Sequence, residues 1–234
     1  MSGKRFLEID VLRGLAVIGM IIFHTFFVLS YFGVLYNEMY EGGWLVLARF
    51  VQFSFLGLTG VSLAISYNRH GQSFYKKQLL RGLHVFGMGM LITLVTYVFV
   101  REDYVKFGIL HLIGLSIVFL HPFASKKYFN LILSLVIFVI AVLIDKTQVN
   151  SMIGFILGFK TTDISSLDYF PIFPWIGIVS LGAFLGNIIY KNNNSLLKLN
   201  SGTFKPIIFL GRHSLIIYMT HIPIIVLAVY VIMY

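Results

Sequence analysis

The chain has 234 residues, of which 58% are hydrophobic and 12% are charged, and its formal net charge is +9. Soluble domains average about 25% charged residues, so this composition excludes a soluble globular protein. The aromatic share of 16% excludes disorder, and the absence of cysteine excludes a disulfide scaffold and a cysteine nucleophile. The composition predicts an integral membrane protein.

Seven stretches lack Asp, Glu, Lys and Arg, and each approaches the roughly 20 residues that a membrane-spanning helix needs. Their bounds are 14–37, 50–68, 82–100, 107–125, 128–144, 169–190 and 213–234. The runs are continuously apolar rather than alternating, which favours helices over a β-barrel. We predict an all-α bundle of about seven transmembrane helices, with residues 1–234 as a single domain. Pro122 is predicted to end the fourth helix.

The distribution of lysine and arginine predicts the orientation in the membrane. With a cytoplasmic N-terminus, 13 of these cations fall on the inner side and 5 on the outer side. We therefore predict a multi-pass protein of the cell membrane with its C-terminus outside. The positive charge reflects topology and attraction to anionic headgroups, and a subset of cations could hold a phosphorylated ligand. Nucleic acid is not an expected partner, because the charge is spread over thin loops without a recognition module.

Ionisable residues form a stripe that runs from the cytoplasmic end of the first predicted helix to its middle. Arg13 precedes His24 by eleven positions, which brings both to within roughly 20° of one face and separates them by about 16.5 Å. Asp10 falls on the same side as Arg13. Because ionisable groups in a bilayer are costly, this stripe predicts a functional site. In the alternative interpretation, Arg13 reaches the headgroups and His24 makes an ordinary interhelical hydrogen bond.

Two further histidines are predicted to lie within the membrane. His111 is about one turn inside the outer end of the fourth predicted helix, and His221 lies toward the middle of the seventh. Together with His24 they could line one polar cavity, although each alone more often makes an interhelical hydrogen bond. No metal-ligand spacing and no phosphate-cradling glycine loop is found. The remaining histidines are predicted to lie at the cytoplasmic side: His70, His84, His121 and His213.

The stretch 168–175 (Asp-Tyr-Phe-Pro-Ile-Phe-Pro-Trp) opens the sixth predicted helix from the outer side. Prolines are tolerated in a first turn, and Asp168 suits a helix N-terminus electrostatically. Alternatively, Asp168 assists a substrate or orients an imidazole. Gly177, Gly182 and Gly186 continue this helix and are predicted to allow close helix packing.

The stretch Asp10-Val11-Leu12-Arg13-Gly14 followed by His24 resembles the transmembrane acyltransferase superfamily, whose hallmark is an arginine, ten residues and a histidine in the first helix. Within it, the chain is most similar to the heparan-α-glucosaminide N-acetyltransferase-like group of small prokaryotic proteins. The likeness covers nearly the whole chain. The supporting stretches are 55–60, 108–111, 168–175 and 211–221.

The resemblance implies transfer of an acyl group, usually acetyl, from cytoplasmic acyl-CoA to an acceptor in the membrane or on its outer side. The acceptor is an amine or hydroxyl of a sugar-like or lipid-linked molecule. His24 is the implied general base or acyl carrier, and we expect its buried imidazole to be neutral. Asp168 is a second catalytic candidate, and His111 and His221 are candidates for acceptor binding. The CoA phosphates are expected to meet Arg13, supported by Asp10, and Arg81, Lys76, Lys77 and Arg212.

Two other functions fit the residues alone. A small transporter or flippase would use a histidine-lined cavity to move a solute or a lipid headgroup, with no requirement for CoA. A purely structural partner would show neither binding nor turnover. Glycines on several predicted helices are compatible with a homodimer.

Overall fold

The computed structural model describes residues 6–36, 38–70, 74–191, 194–197, 202 and 204–233. Over these residues the chain forms nine α-helices, and a 3₁₀ turn at His121–Phe123 follows the fourth. The helices are α1 (Leu7–Tyr31), α2 (Gly42–His70), α3 (Phe74–Phe99), α4 (Ile109–Leu120), α5 (Lys127–Ile144), α6 (Met152–Leu157), α7 (Ile172–Ile189), α8 (Lys205–Arg212) and α9 (Ser214–Met233).

Six of these helices are long and apolar enough to cross a membrane, namely α1, α2, α3, α5, α7 and α9. A seventh apolar segment, Ile109–Phe123, is shorter. The predicted all-α membrane fold of about seven helices is therefore confirmed. The 12 residues of α4 rise only about 18 Å, less than the roughly 30 Å of a hydrocarbon core.

The fourth helix is shorter than its charge-free run because both ends of the run have other backbone conformations. Pro122 lies in the 3₁₀ turn after Leu120, as predicted. At the other end, Phe107 forms an isolated β-bridge with Tyr169, and Gly108 is extended. The apolar run 107–125 therefore predicted a longer helix than the structure contains.

The first helix is longer than predicted at its N-terminal end. It begins at Leu7, so Asp10 and Arg13 belong to its first two turns rather than preceding it. The short helix α8 was not predicted, because its charged ends and proline place it outside the apolar runs. It ends at Arg212, and α9 begins two residues later.

The contacts of the chain form two compact units, residues 1–55 with 195–234, and residues 56–194. Helix α2 contributes its first part to the first unit and the rest to the second. A single domain over 1–234 therefore stays a prediction. In the first unit, α8 packs closely on α1: a Cβ atom on Gly211 would collide with the Asp10 carbonyl, and one on Gly14 with the Ile207 carbonyl. These two glycines set the spacing between the helices.

In the second unit, α5 packs on α7 through small and polar residues. The Ser134 hydroxyl donates to the Gly177 carbonyl over 2.9 Å. A Cβ atom on Gly177 would lie 2.9 Å from a methyl of Ile137, and one on Gly182 would strike the Gly57 backbone of α2. Membrane helices associate through such close backbone contacts, so the predicted packing role of the α7 glycines is confirmed.

Candidate active site

Two of the predicted histidines form a pair in the first unit. His24 in α1 and His221 in α9 place their Nδ1 and Nε2 atoms, respectively, 3.0 Å apart. Their ring centroids are 4.9 Å apart at an interplanar angle of 53°. His221 is buried, whereas His24 is partly exposed. The sequence grouped these two residues with His111 around one possible polar cavity, and the structure joins His24 and His221 by a direct hydrogen bond.

The surrounding carbonyl groups assign the protons of this pair. His221 Nδ1 lies 2.7 Å from the Tyr218 carbonyl oxygen and 3.2 Å from that of Ile217. Because carbonyl oxygens only accept, Nδ1 of His221 must carry a proton, and its Nε2 is then the acceptor of a neutral ring. His24 therefore donates from Nδ1 to His221.

The remaining ring nitrogen of His24, Nε2, is the one that carries the lone pair. His24 also makes a backbone hydrogen bond with Met20, one turn earlier in α1. The hydrogen bond to His221 uses Nδ1 as the donor, so Nε2 is the nitrogen that can accept a proton in the neutral ring. A neutral imidazole with one nitrogen oriented and the other available is the arrangement that a general base or nucleophile requires.

A cluster of one carboxylate and two guanidinium groups lies near the beginning of α1. Arg212 Nε is 3.1 Å from Asp10 Oδ2, and Arg13 Nη1 is 3.8 Å from Asp10 Oδ1. The Asp10 side chain is only 10% exposed, whereas that of Arg212 is 39% exposed. The cluster keeps one net positive charge, because two guanidinium groups face one carboxylate. It is therefore suited to an anion, and its Arg13 precedes His24 by about 16.5 Å of continuous helix.

The other predicted CoA-binding cations belong to the second unit. Lys76, Lys77 and Arg81 lie on the first two turns of α3 and are exposed. Arg81 Nη1 lies 3.5 Å from Gln78 Oε1, and the buried Gln78 donates to Ser66 Oγ over 2.7 Å. The predicted CoA-binding side chains thus form two groups, one in each unit.

His111, in the second unit, has protein partners at both ring nitrogens. Its Nδ1 accepts from the Gly108 N–H over 3.2 Å, so Nε2 carries the proton and donates to Thr93 Oγ1, also at 3.2 Å. The Thr93 hydroxyl in turn donates to the Val105 carbonyl over 2.6 Å. Since His111 is 2% exposed, this geometry favours a role in holding the start of α4 over contact with an acceptor.

Asp168 caps a different helix from the one predicted. Its Oδ2 accepts a hydrogen bond of 3.0 Å from the N–H of Ile109, the first residue of α4. Capping of the sixth predicted helix, α7, is therefore wrong: α7 begins at Ile172, and its N-cap residue is Pro171. The physical reason is that the Phe170 N–H donates to the Phe107 carbonyl, which brings this strand-like segment beside the start of α4.

Sequence reasoning missed a second buried carboxylate on α1. Glu8 is 3% exposed, and its oxygens accept from the Ser195 hydroxyl and the Leu196 N–H at 2.8–3.0 Å. It fastens the segment before α8 to α1. The available signal was weak, because Glu8 precedes the predicted apolar run 14–37 and falls in a helical turn only in the structure. Over the described part of the chain, no group of three or more His, Asp or Glu side chains could hold a metal ion.

The chain matches a protein family over residues 5–223, and the description of that family is heparan-alpha-glucosaminide N-acetyltransferase, catalytic. No curated protein and no solved structure matches the chain. The matched segment covers nearly the whole sequence and contains the histidine pair and the Asp10 cluster. It agrees with the resemblance found in the sequence. The chain therefore belongs to the heparan-alpha-glucosaminide N-acetyltransferase catalytic family, whose members are membrane acetyltransferases.

Proposed function

We propose that this protein transfers an acetyl group from acetyl-CoA to an amine or hydroxyl of a sugar-like acceptor, with His24 as the reacting imidazole. Family membership supports the reaction class. The observation that carries the residue assignment is the hydrogen bond from His24 Nδ1 to His221, because it leaves Nε2 as the basic nitrogen. The acceptor is presented from the membrane or its outer side, in line with the predicted orientation.

In direct transfer, the acceptor nitrogen or oxygen attacks the thioester carbonyl carbon while His24 Nε2 takes its proton. The carbon–sulfur bond then breaks, and the departing CoA thiolate receives that proton from the imidazolium. Alternatively, Nε2 itself attacks the carbonyl carbon, the CoA thiolate leaves, and the acetyl-histidine passes its acetyl group to the acceptor. Both routes use the same nitrogen.

His221 acts in this scheme as a positioning residue rather than as the predicted acceptor contact. When His24 becomes charged, its Nδ1–H bond to His221 becomes charge-assisted, and such bonds are about twice as strong as neutral ones. The Tyr218 and Ile217 carbonyls keep His221 in the tautomer that accepts. The pair therefore stabilises the protonated form of the base.

The Asp10 cluster is the proposed binding site for the phosphate groups of the donor. Asp10 orients the guanidinium groups of Arg13 and Arg212, and guanidinium binds phosphate in a bidentate manner. The pantetheine arm would extend along α1 from this cluster toward His24. Lys76, Lys77 and Arg81 stay predicted phosphate contacts.

His111 and Asp168 are proposed to maintain the outer end of the second unit. Both bond backbone N–H groups where α4 begins: His111 bonds that of Gly108, just before the helix, and Asp168 that of Ile109. Their replacement should therefore affect the position of α4 and the recognition of the acceptor rather than proton transfer.

The assay is release of free thiol from acetyl-CoA by detergent-solubilised protein, with glucosamine as the acceptor probe. His24→Gln keeps an amide donor for His221 but removes the basic nitrogen, so we expect turnover to fall by about 10²–10⁴. The matched control is His84→Gln, an exposed histidine of α3 that has no role in the scheme. Turnover at the wild-type level in His24→Gln would refute the assignment.

A single-turnover experiment without acceptor separates the two routes. Release of one thiol per protein molecule, with a matching mass increase of the protein, indicates acetyl-histidine. A transporter would instead move its solute without any need for CoA, and family membership favours the enzyme over that alternative.

A further inference from the structure

A cavity of about 370 Å³ lies in the second unit, where the turn before α5 meets the end of α7. Two lysines, one serine, one asparagine and one isoleucine line it: Lys127, Lys191, Ser125, Asn187 and Ile188. The ion pairs among the described residues involve neither lysine. The cavity therefore has two ammonium groups without a carboxylate to balance them.

Two asparagines fix the turn that forms one wall of this cavity. Asn187 Nδ2 donates to the Ala124 carbonyl over 2.6 Å and to that of Ala183 over 2.8 Å. Asn130 Nδ2 donates to the Phe123 and Lys126 carbonyls over 2.7 and 3.0 Å. Asn130 is fully buried and Asn187 partly buried, and the bonds of both amides order one turn. Ser125 and Lys127 thus project from a preorganised backbone.

We expect the same turn at the level of a membrane–water interface, because it directly precedes a membrane-length helix. It is the N-terminal end of the membrane-length helix α5, where Tyr128 is 67% and Phe129 40% exposed. Tyrosine is enriched at this level in membrane proteins, and lysine ammonium groups reach the lipid headgroups there. Lys127 Nζ lies 4.3 Å from the centroid of the Tyr128 ring, which is within the range of a cation–π contact.

We propose that this cavity binds a phosphate group, supplied by the headgroup of an anionic lipid in the adjacent leaflet. The donors are the ammonium groups of Lys127 and Lys191 and the hydroxyl of Ser125. Their positive charge is not balanced within the cavity, and lysine binds phosphate as a point charge. The site is independent of the proposed acetyl transfer.

Native mass spectrometry of the detergent-purified protein tests the proposal, with phosphatidylglycerol and phosphatidylcholine as probes. We expect phosphatidylglycerol adducts on the wild type and about 25-fold weaker binding in the double variant Lys127→Gln/Lys191→Gln, since each of the two lysines near a headgroup contributes about fivefold. The charge-matched control is Arg101→Gln/Lys146→Gln, on the predicted outer side. Lys127→Arg/Lys191→Arg should retain binding.

The source of the phosphate is resolved by titration with sodium phosphate in lipid-free micelles. Thermal stabilisation by phosphate alone, lost in Lys127→Gln/Lys191→Gln, supports the site but identifies a soluble phosphate compound as its ligand. Lipid adducts that persist in phosphate and are lost in the same variant support the headgroup. Equal adducts in the wild type and in the lysine-to-glutamine variant, with no effect of phosphate, would overturn the proposal.

Discussion

Replacement of His221 tests whether this residue orients the catalytic base or reacts itself. His221→Ala removes the acceptor that lies 3.0 Å from His24 Nδ1. A neutral hydrogen bond contributes about 1 kcal/mol, and one to a charged group about 1.5–3 kcal/mol. Only the difference, about 0.5–2 kcal/mol, affects the step in which His24 gains a proton. It corresponds to a loss of about 2–30-fold in kcat.

The assay is thiol release from acetyl-CoA, with kcat and KM measured separately and thermal unfolding recorded on the same samples. KM for acetyl-CoA should stay near the wild-type value, because the Asp10 cluster is intact. His221→Gln should restore much of kcat, since its Oε1 can accept from His24 Nδ1. A loss of 10³-fold or more in both variants would show that His221 itself reacts, and an unchanged kcat in His221→Ala would refute the orienting role.

Three further predictions concern the framework around the site. Gly211→Ala should lower the free energy of unfolding by about 1–3 kcal/mol, because the added Cβ collides with the α1 backbone, and it should raise KM for acetyl-CoA. The control is Gly87→Ala, which should leave the stability of the protein unchanged because the space around Gly87 is open. Asn187→Ala should lower the thermal midpoint by leaving the buried carbonyl of the turn before α5 unbonded, at a cost of about 1–3 kcal/mol. Burial raises the pKa of Tyr169 to about 12 from its ordinary value of 10. The folded state therefore disfavours the phenolate, and stability should decline as pH rises from about 10 toward 12, less so in Tyr169→Phe; equal decline in both proteins would contradict this assignment.

The membrane fold could be predicted from the sequence because its signal is composition. Charge-free runs mark the hydrocarbon-embedded part of each helix, and six of them correspond to membrane-length helices. The exact ends could not be predicted, since helices continue past the apolar run into the interface, as α1 does to Leu7. The fourth helix is shorter than its run because apolar residues such as Phe107 also form extended backbone.

The candidate site could be predicted only in part. Residues on one helix could be grouped from the sequence, whereas their partners on other helices could not. The stripe of Asp10, Arg13 and His24 depends on local helical spacing, which a sequence contains. The partners Arg212 and His221 depend on which helices pack together, and no periodicity within one helix specifies this. Asp168 shows the same limit: its charge indicated a helix cap, but the helix it bonds lies 59 residues earlier in the chain.

The two polar contacts of the candidate site join the same pair of chain segments. Asp10 and His24 both lie on α1. The partner of Asp10 is Arg212, the last residue of α8, and the partner of His24 is His221 in α9. Only one residue, His213, separates α8 from α9. The continuous segment 205–233 therefore holds α1 at two levels, and the glycine contacts of α8 keep the first level close. A shift of α8 along α1 cannot leave both contacts unchanged, because α9 follows it directly. The geometry that orients the donor cluster and the geometry that selects the basic nitrogen of His24 thus depend on one interface, which explains why ionisable residues are placed on both of its sides despite their cost in a membrane.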